Sequence, residues 1–282
     1  MTALVLATPV GTPSLQTEAL ARFRADEPRF FDLAVVIAVS AIPTLFAAFV
    51  DSRVFEGVDN WVKPLKFDFA LVVYLLTMVF FARFLPEATR ASRRYRFFSI
   101  AVVTAIVAEL IWINGAAALG TASHFNTSMI GMIIYSLMGA AAVLLTSVSA
   151  VYAVSIGRNP ATGLSPVLKE SVVIGLALVL PLTLVTAGTL SSFGTHFVGG
   201  TPADPAGLFF FGWARDVGDL RVAHFFATHT LHVIPLFGLA YAWFLGGSSL
   251  WPVRLAAVAY TAFVGFLFVQ ALMGQPFLPW LG

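Results

Sequence analysis

The chain has 282 residues, 59% of them hydrophobic and only 11% charged, with a formal net charge of +2. Soluble domains are nearer half apolar and a quarter charged, so this composition predicts a protein that uses lipid as its solvent. The lack of cysteine excludes disulfides, thiolate metal sites and cysteine nucleophiles, and no basic aromatic run or Gly-rich phosphate loop supports nucleic acid binding.

Residues 1–29 form a polar N-terminal segment without the basic start and long apolar run of a signal peptide. Residues 14–29, SLQTEALARFRADEPR, fit both a short interfacial amphipathic helix and a flexible polar lead-in. Residues 30–282 are predicted to form a single transmembrane domain.

Apolar stretches long enough to cross the bilayer follow one another along this domain. A helix needs roughly 20 apolar residues to cross ~30 Å of hydrocarbon. Seven stretches meet this length, at residues 31–50, 66–85, 97–120, 128–156, 170–193, 221–246 and 251–273. The predicted fold is therefore an all-α integral membrane protein, a bundle of about seven transmembrane helices.

Lysine and arginine are divided unequally between the two ends of this bundle. Most of the 16 lie on the side of the N-terminus, where residues 90–96 read RASRRYR. Because positive loops stay in the cytoplasm, the N-terminus is predicted to be cytoplasmic and the C-terminus extracytoplasmic.

All five histidines fall on the half that this orientation places outside. His124 and His196 lie in loops, while His224, His229 and His232 enter the sixth span. A rise of 1.5 Å per residue puts His232 about 16 Å deep, near mid-bilayer. The three residues fit on one broad helix face, so the sequence predicts an outward-facing, histidine-rich pocket.

Glu109, in the third span, also lies near mid-bilayer. A lone carboxylate at that depth is costly and usually marks a functional path. Its depth matches that of His232, so we expect these two side chains to pair; the alternative is that the pair only stabilises the bundle. Pro235 lacks an N–H and is expected to loosen the sixth helix beside His232.

Charged residues at the outer end have both a ligand-binding and a structural interpretation. Lys66 or its neighbour Lys63 either anchors the interface, meets an anionic ligand or pairs with Asp68. Arg221 either pairs with Asp219 or holds a carboxylate or phosphate through its guanidinium fork.

The remaining pocket residues are uncharged or lie in loops. Asn114 belongs to the outer half of the third span, and Trp213 lies in a long loop at about 194–220 that is predicted to form a lid. The loop segment that contains His124 has a structural alternative, since its polar residues can cap the fourth span.

Four histidines are candidate metal ligands: His124, His196, His224 and His229. Imidazoles that converge from separate elements bind Zn, Cu or Fe, although no compact HxxxH or HExxH motif is present. A transition metal or a b-type haem is therefore the first cofactor hypothesis, with a redox or other enzymatic role. A deep bis-histidine haem is disfavoured, because His229 and His232 have no histidine partner at their depth.

Two alternatives to a metal or haem site stay open, and so does the question of enzymatic activity. The first is a transporter, proton relay or sensor for a small ligand that uses the same pocket. Against a path through the membrane, the inner half has few polar side chains and the chain has no inverted repeat. The second is a structural membrane subunit whose histidines are satisfied by their neighbours.

Three motifs together resemble a family of uncharacterised multi-pass inner-membrane proteins of bacteria. They are NWVKPLKF, SHFN and GDLRVAHF, and the resemblance covers most of residues 60–235. It implies a multi-pass protein of the bacterial inner (plasma) membrane, and it brings no activity that could be assigned to a residue. The expected partners are the lipid bilayer and a small molecule on the outer side.

The topology alone is also similar to the alkaline ceramidase and adiponectin-receptor superfamily. That resemblance would imply a zinc hydrolase with an HxxxH pair in its last span. The last span of this chain, residues 251–273, has no histidine.

Overall fold

The protein is described by a computed structural model that covers residues 15–208 and 210–281. The first half of the predicted N-terminal segment, residues 1–14, lies outside the described residues. The other half is the helix α1 (Leu15–Asp26), as one of the two interpretations of this segment requires.

The described residues form helices joined by loops, with two short antiparallel hairpins. The hairpins pair β1 (Val54–Phe55) with β2 (Val58–Asp59), and β3 (Phe197–Val198) with β4 (Gly218–Asp219). The helices after α1 are α2 (Pro28–Val50), α3 (Val62–Ala82), α4 (Glu87–Arg90), α5 (Arg93–Leu119), α6 (Met129–Arg158), α7 (Pro166–Phe193), α8 (Leu220–Thr228), α9 (Thr230–Leu245) and α10 (Trp251–Leu272), followed by a 3₁₀ turn (Pro279–Leu281).

Within the described part of the chain, six helices are long and apolar enough to cross a membrane, namely α2, α3, α5, α6, α7 and α10. The pair α8 and α9 is a seventh span if it is counted as one. The prediction of an all-α bundle with about seven apolar helices is confirmed at this level.

Serine residues begin three of these helices, as their chemistry predicts. Ser92, Ser128 and Ser165 each accept a hydrogen bond from the backbone N–H three residues later, at the starts of α5, α6 and α7. Such caps satisfy N–H groups that have no partner inside the helix. Ser128 thus provides the cap that the sequence suggested for the fourth span.

The loops gather at two ends of the bundle. One end, called here the histidine end, carries the loops 51–61, 120–128 and 194–219 and is joined by contacts such as Asn60 Nδ2 to the Ala117 carbonyl at 3.3 Å. The opposite end, called the arginine end, carries the connections 83–92, 159–165 and 246–250. It is joined by pairs such as Arg83 with Asp26 at 3.2 Å and Arg254 with Glu170 at 2.8 Å.

The sixth span is broken, and the prediction of a helix loosened beside Pro235 has the wrong position. Helices α8 and α9 meet at His229 with a bend of 50°. The carbonyls released at the break are satisfied by side chains, since the Tyr260 hydroxyl donates to the Phe226 carbonyl and Thr230 Oγ1 donates to the Ala227 carbonyl. These substitute partners make a break possible without unsatisfied backbone in an apolar environment.

The close approach of α7 and α9 just after the break requires a glycine. A Cβ atom on Gly175 would lie 2.7 Å from Pro235 Cδ and 2.8 Å from the Thr230 carbonyl oxygen. Backbone on one side and a rigid ring on the other leave no room for a methyl group.

We therefore expect Gly175→Ala to lower the unfolding free energy by about 1–3 kcal/mol, the usual range for overpacking. Unfolding in mixed detergent micelles measures this change. The control is Gly139→Ala, because a Cβ atom there meets nothing within 4 Å. Equal stability of the two variants would contradict the packing argument.

Candidate functional site

The five histidines lie in two groups. His124 and His196 belong to loops at the histidine end, and each has a positive charge among its electrostatic neighbours. His224, His229 and His232 lie within the bundle on either side of the helix break.

In the first group, His124 is held by Lys63 and Ser123. Lys63 Nζ lies 3.1 Å from His124 Nδ1, and Ser123 Oγ lies 3.2 Å from the same atom. A lysine ammonium has only donors, so this ring nitrogen accepts and the proton of the neutral ring sits on Nε2. Tyr135 and Phe67 contact the ring from α6 and α3, with centroid distances of 5.6 and 5.9 Å.

His196 lies beside this pair, under aromatic side chains. The Phe125 ring is 5.0 Å from its centroid, and its Nδ1 atom is buried without a hydrogen-bond partner in the described part of the chain. His196 interacts electrostatically with His124, Lys63 and Arg221.

Burial and nearby cations keep both loop histidines neutral. Burial lowers the pKa of His124 to about 3, and the charge of Lys63 adds to the effect. Burial also lowers the pKa of His196 to about 3, with Arg221 and Lys63 as the next causes. Both rings are therefore uncharged at neutral pH.

The loop 194–219 is tied to the bundle by a buried ion pair. The Asp219 carboxylate accepts from Arg221 Nη2 at 2.6 Å and Arg221 Nε at 2.9 Å, and its side chain is 0% exposed. Arg221 also donates to the Gly212 carbonyl at 2.6 Å and lies over the Phe197 ring. The structural alternative predicted for these two residues is therefore present, because Arg221 is already occupied by Asp219.

Aromatic side chains hold the same loop against α8. Trp213 is buried and stacks on Phe211 at 4.3 Å, and Phe225 meets both rings edge-on at 5.3 Å. Lys66 Nζ donates to the Phe211 carbonyl at 3.0 Å. The loop thus covers this side of the histidine end. A cavity of about 10 Å³ between this loop and the C-terminal segment is lined by Leu208, Trp213, Ala214, Arg215, Phe277 and Leu278.

In the second group, each imidazole has one nitrogen tied to an oxygen. Thr77 Oγ1 donates to the Val73 carbonyl, so at 3.0 Å from His232 Nε2 it must accept from the ring. Thr186 Oγ1 likewise donates to the Leu182 carbonyl, and it lies 3.4 Å from His224 Nδ1.

One ring nitrogen of His229 is likewise tied to an oxygen, at the helix break. Its Nδ1 atom lies 2.7 Å from the Phe225 carbonyl oxygen, which can only accept, so Nδ1 carries the proton. When neutral, each ring therefore keeps one nitrogen with a lone pair that can accept a hydrogen bond: Nε2 of His224, Nε2 of His229 and Nδ1 of His232. The last of these atoms is buried and has no partner among the described residues.

His229 is the middle member of this trio. Its ring centroid lies 5.3 Å from that of His232 and 3.9 Å from that of Phe225, on which it stacks. It interacts electrostatically with both His224 and His232. The three rings therefore form one connected group in the bundle.

The expected pair of Glu109 and His232 does not form. Glu109 is buried in α5, and its electrostatic partner in the described part of the chain is Lys63. The contacts of His232 are instead Thr77 and His229. Equal depth on two helices does not bring side chains together when their faces point toward different neighbours.

Two further pocket candidates lie apart from the histidines. Asn114 Oδ1 lies 3.4 Å from Thr44 Oγ1 of α2. Asp68 is 2% exposed, and both of its carboxylate oxygens lack a hydrogen-bond partner among residues 15–208 and 210–281. The alternative in which Asp68 pairs with Lys66 is therefore absent.

The four predicted metal ligands do not come together as one centre. Among the residues that the structure describes, no three histidine, aspartate or glutamate side chains are grouped so that they could hold a metal ion. His124 and His196 share their surroundings with Lys63, whereas His224 and His229 lie inside the bundle. The loops hold His124 and His196 at the histidine end, whereas His224 of α8 and His229 at the helix break lie inside the bundle.

Sequence reasoning missed a polar cluster at the arginine end. The hydroxyl groups of Tyr95 and Tyr152 are 2.6 Å apart, and both side chains are buried. Glu27, which is 1% exposed and 3.2 Å from Arg29, interacts with the Tyr95 hydroxyl. The available signal was a tyrosine close to the arginine end of each of two apolar spans, Tyr95 at the third residue of α5 and Tyr152 six residues before the last residue of α6.

Comparison of the chain with protein-family models, with curated proteins and with solved structures found no match.

Proposed function

We propose that the protein is a proton-conducting transporter of the bacterial inner membrane, with the histidine end outside. The orientation is supported by the excess of arginine at the other end. The bacterial location is supported by the motif resemblance.

The observation that carries the proposal is the histidine trio. Three imidazoles, each with one nitrogen that can accept a proton when the ring is neutral, lie around a helix break in the interior of the bundle. Histidine gains and loses a proton near neutral pH, and ionisable residues inside membrane bundles mark ion and proton paths. Helices broken within the membrane form binding sites in many transporters.

Further polar side chains link the trio electrostatically to the arginine end. Thr77 bonds His232, and Tyr74 lies one turn closer to the histidine end on the same helix, where its hydroxyl donates to the Leu145 carbonyl at 2.8 Å. Tyr74 and Tyr152 interact electrostatically. The Tyr152 hydroxyl is hydrogen-bonded to that of Tyr95, which interacts with Glu27. These groups supply the inner half of a path that the sequence alone did not indicate.

The test is proton flux into sealed liposomes that contain a pH-sensitive dye and the purified protein. A potassium diffusion potential drives the flux, in gluconate and in phosphate buffers. We expect flux well above that of empty liposomes, and a fall of at least tenfold in His229→Gln and in Tyr152→Phe. Tyr241→Phe is the control, because this α9 tyrosine lies outside the path. Flux equal to that of empty liposomes, or unchanged in both variants, would overturn the proposal.

A metal or haem site is the second candidate, and one observation favours it. Metal-bound histidines usually donate their other N–H to a carbonyl or carboxylate, and His229 donates to Phe225 in this way. Elemental analysis and an optical spectrum on the same sample separate the two candidates. Stoichiometric metal or a Soret band, lost in His229→Gln, would favour the second candidate over proton conduction.

A further inference from the structure

We propose that Lys63, His124 and His196 form a binding site for a small oxyanion, a carboxylate or a phosphate, at the histidine end. The site is separate from the histidine trio. It deepens the proposed function by naming the ligand class, and it rests on that function only for the idea that the ligand is transported.

The Lys63 ammonium makes no direct ion pair among the described residues, although Glu56 and Glu109 act on it from a distance. Its Nζ atom contacts His124 Nδ1 at 3.1 Å, and no carboxylate lies within 4.0 Å of it among the described residues. The side chain is only partly exposed. A part-buried charge without an ion pair is unfavourable, and two of its three N–H groups have no hydrogen-bond partner among the described residues.

Hydrogen-bond donors of two histidines also lie around the Lys63 ammonium. His124 accepts from Lys63 through Nδ1, so its Nε2–H is available as a donor. His196 Nδ1 is buried without a partner, although nearly all buried polar atoms in proteins have one. A buried nitrogen without a partner, in electrostatic range of an ammonium without a direct ion pair, indicates a bound group that satisfies both.

The charges that face this site are of both signs. Arg221 contributes to the field at both Lys63 and His196, although its own fork is occupied by Asp219. Glu56 and Glu109 also act on Lys63, and the effect of Glu56 is larger than that of Arg221. The Lys63 ammonium, which contacts the His124 nitrogen, would repel a metal cation there, whereas it would attract an oxyanion.

The walls of the site are aromatic and one of them is strained. Phe125 contacts the rings of His196 and Tyr135, and its φ is +57°. A bulky residue in the left-handed region is uncommon, and such strain concentrates at binding sites. Apolar walls exclude water and strengthen the attraction between an ammonium and an anion.

The test is binding by the full chain in nanodiscs of neutral phosphatidylcholine. Sodium acetate and sodium phosphate are titrated at constant ionic strength against chloride, with thermal unfolding and calorimetry as readouts. We expect saturable stabilisation by at least one anion, and a dissociation constant at least tenfold weaker in Lys63→Gln and in His196→Phe. Lys169→Gln is the control, because that lysine donates to the Asn159 carbonyl at the arginine end.

If Lys63→Gln does not fold, Lys63→Arg keeps the charge and should retain binding, while His196→Phe tests the site independently. A second arm adds phosphatidylglycerol to the nanodiscs; protection by this lipid that Lys63→Gln lacks would identify a lipid headgroup as the source of the oxyanion. The proposal is overturned if neither anion nor this lipid stabilises the wild type beyond chloride, or if both site variants bind as the wild type does. Anion binding is also measured in His229→Gln, whose proton flux is tested separately. This variant should still bind the anion, so failure of this site is distinguished from failure of the proposed function.

Discussion

Replacing Arg221 with methionine is expected to lower the unfolding free energy by about 3–5 kcal/mol, the cost of removing one partner of a buried ion pair. The Asp219 side chain is 0% exposed, and Arg221 meets both of its oxygens. Without the guanidinium, a buried carboxylate keeps only its bonds from the backbone N–H groups of Ala214 and Arg221. The loop 194–219 would also lose its bond from Arg221 to the Gly212 carbonyl.

The chain contains a matched control for this prediction. Asp51 and Arg53 form a pair with the same sequence spacing, at the same end, with Nη2 2.7 Å from Oδ2. The Arg53 side chain is 53% exposed, and exposed pairs contribute only about 0–1 kcal/mol. Unfolding in mixed detergent micelles should therefore show a larger loss of unfolding free energy in Arg221→Met than in Arg53→Met. Similar losses in both variants would contradict the role assigned to burial.

Acidification is expected to destabilise the fold through His124 and His196. Both rings have a pKa of about 3 when folded, against 6.5 for an ordinary histidine. Between these values the unfolded chain binds more protons than the folded chain, so stability falls as the pH falls from about 6.5 toward 3. Each histidine contributes a slope of about 1.4 kcal/mol per pH unit within this window.

The measurement is the unfolding free energy between pH 5 and 7, for the wild type and for His124→Gln and His196→Gln. In each variant, the slope of the unfolding free energy against pH should be smaller by the contribution of one histidine. Asp51→Asn is the control: its bonds with Arg53 and Trp61 lower the pKa of the Asp51 carboxyl below the ordinary 3.8, so it titrates below the tested range. A slope that stays unchanged in both histidine variants would mean that these rings are not held neutral by burial.

The positions of the helices could be predicted because each depends on neighbouring residues. Runs of apolar side chains identify the spans, and the serines that begin α5, α6 and α7 act on N–H groups three residues away. The break at His229 could not be predicted in this way. It depends on Tyr260 of α10, which satisfies the Phe226 carbonyl from another helix.

The candidate site could be predicted only in part. The order of the spans in the sequence places the loops that carry His124 and His196 at one end of the bundle. It did not predict that Lys63 would hold His124, or that Thr77 would hold His232. These partners are 61 and 155 residues apart along the chain, and the choice among polar groups at similar depth depends on how each helix is rotated.

The sequence by itself therefore determined the presence of six to seven helices long and apolar enough to cross a membrane and the division of charge between the two ends, because these follow from composition and local order. Only the tertiary structure decided which polar atoms have partners. It separated His124 and His196 from the trio, paired Asp219 with Arg221, and brought Tyr95 of α5 against Tyr152 of α6. The physical reason is that hydrogen bonds and ion pairs act over about 3 Å, a distance that helix packing fixes and sequence spacing does not.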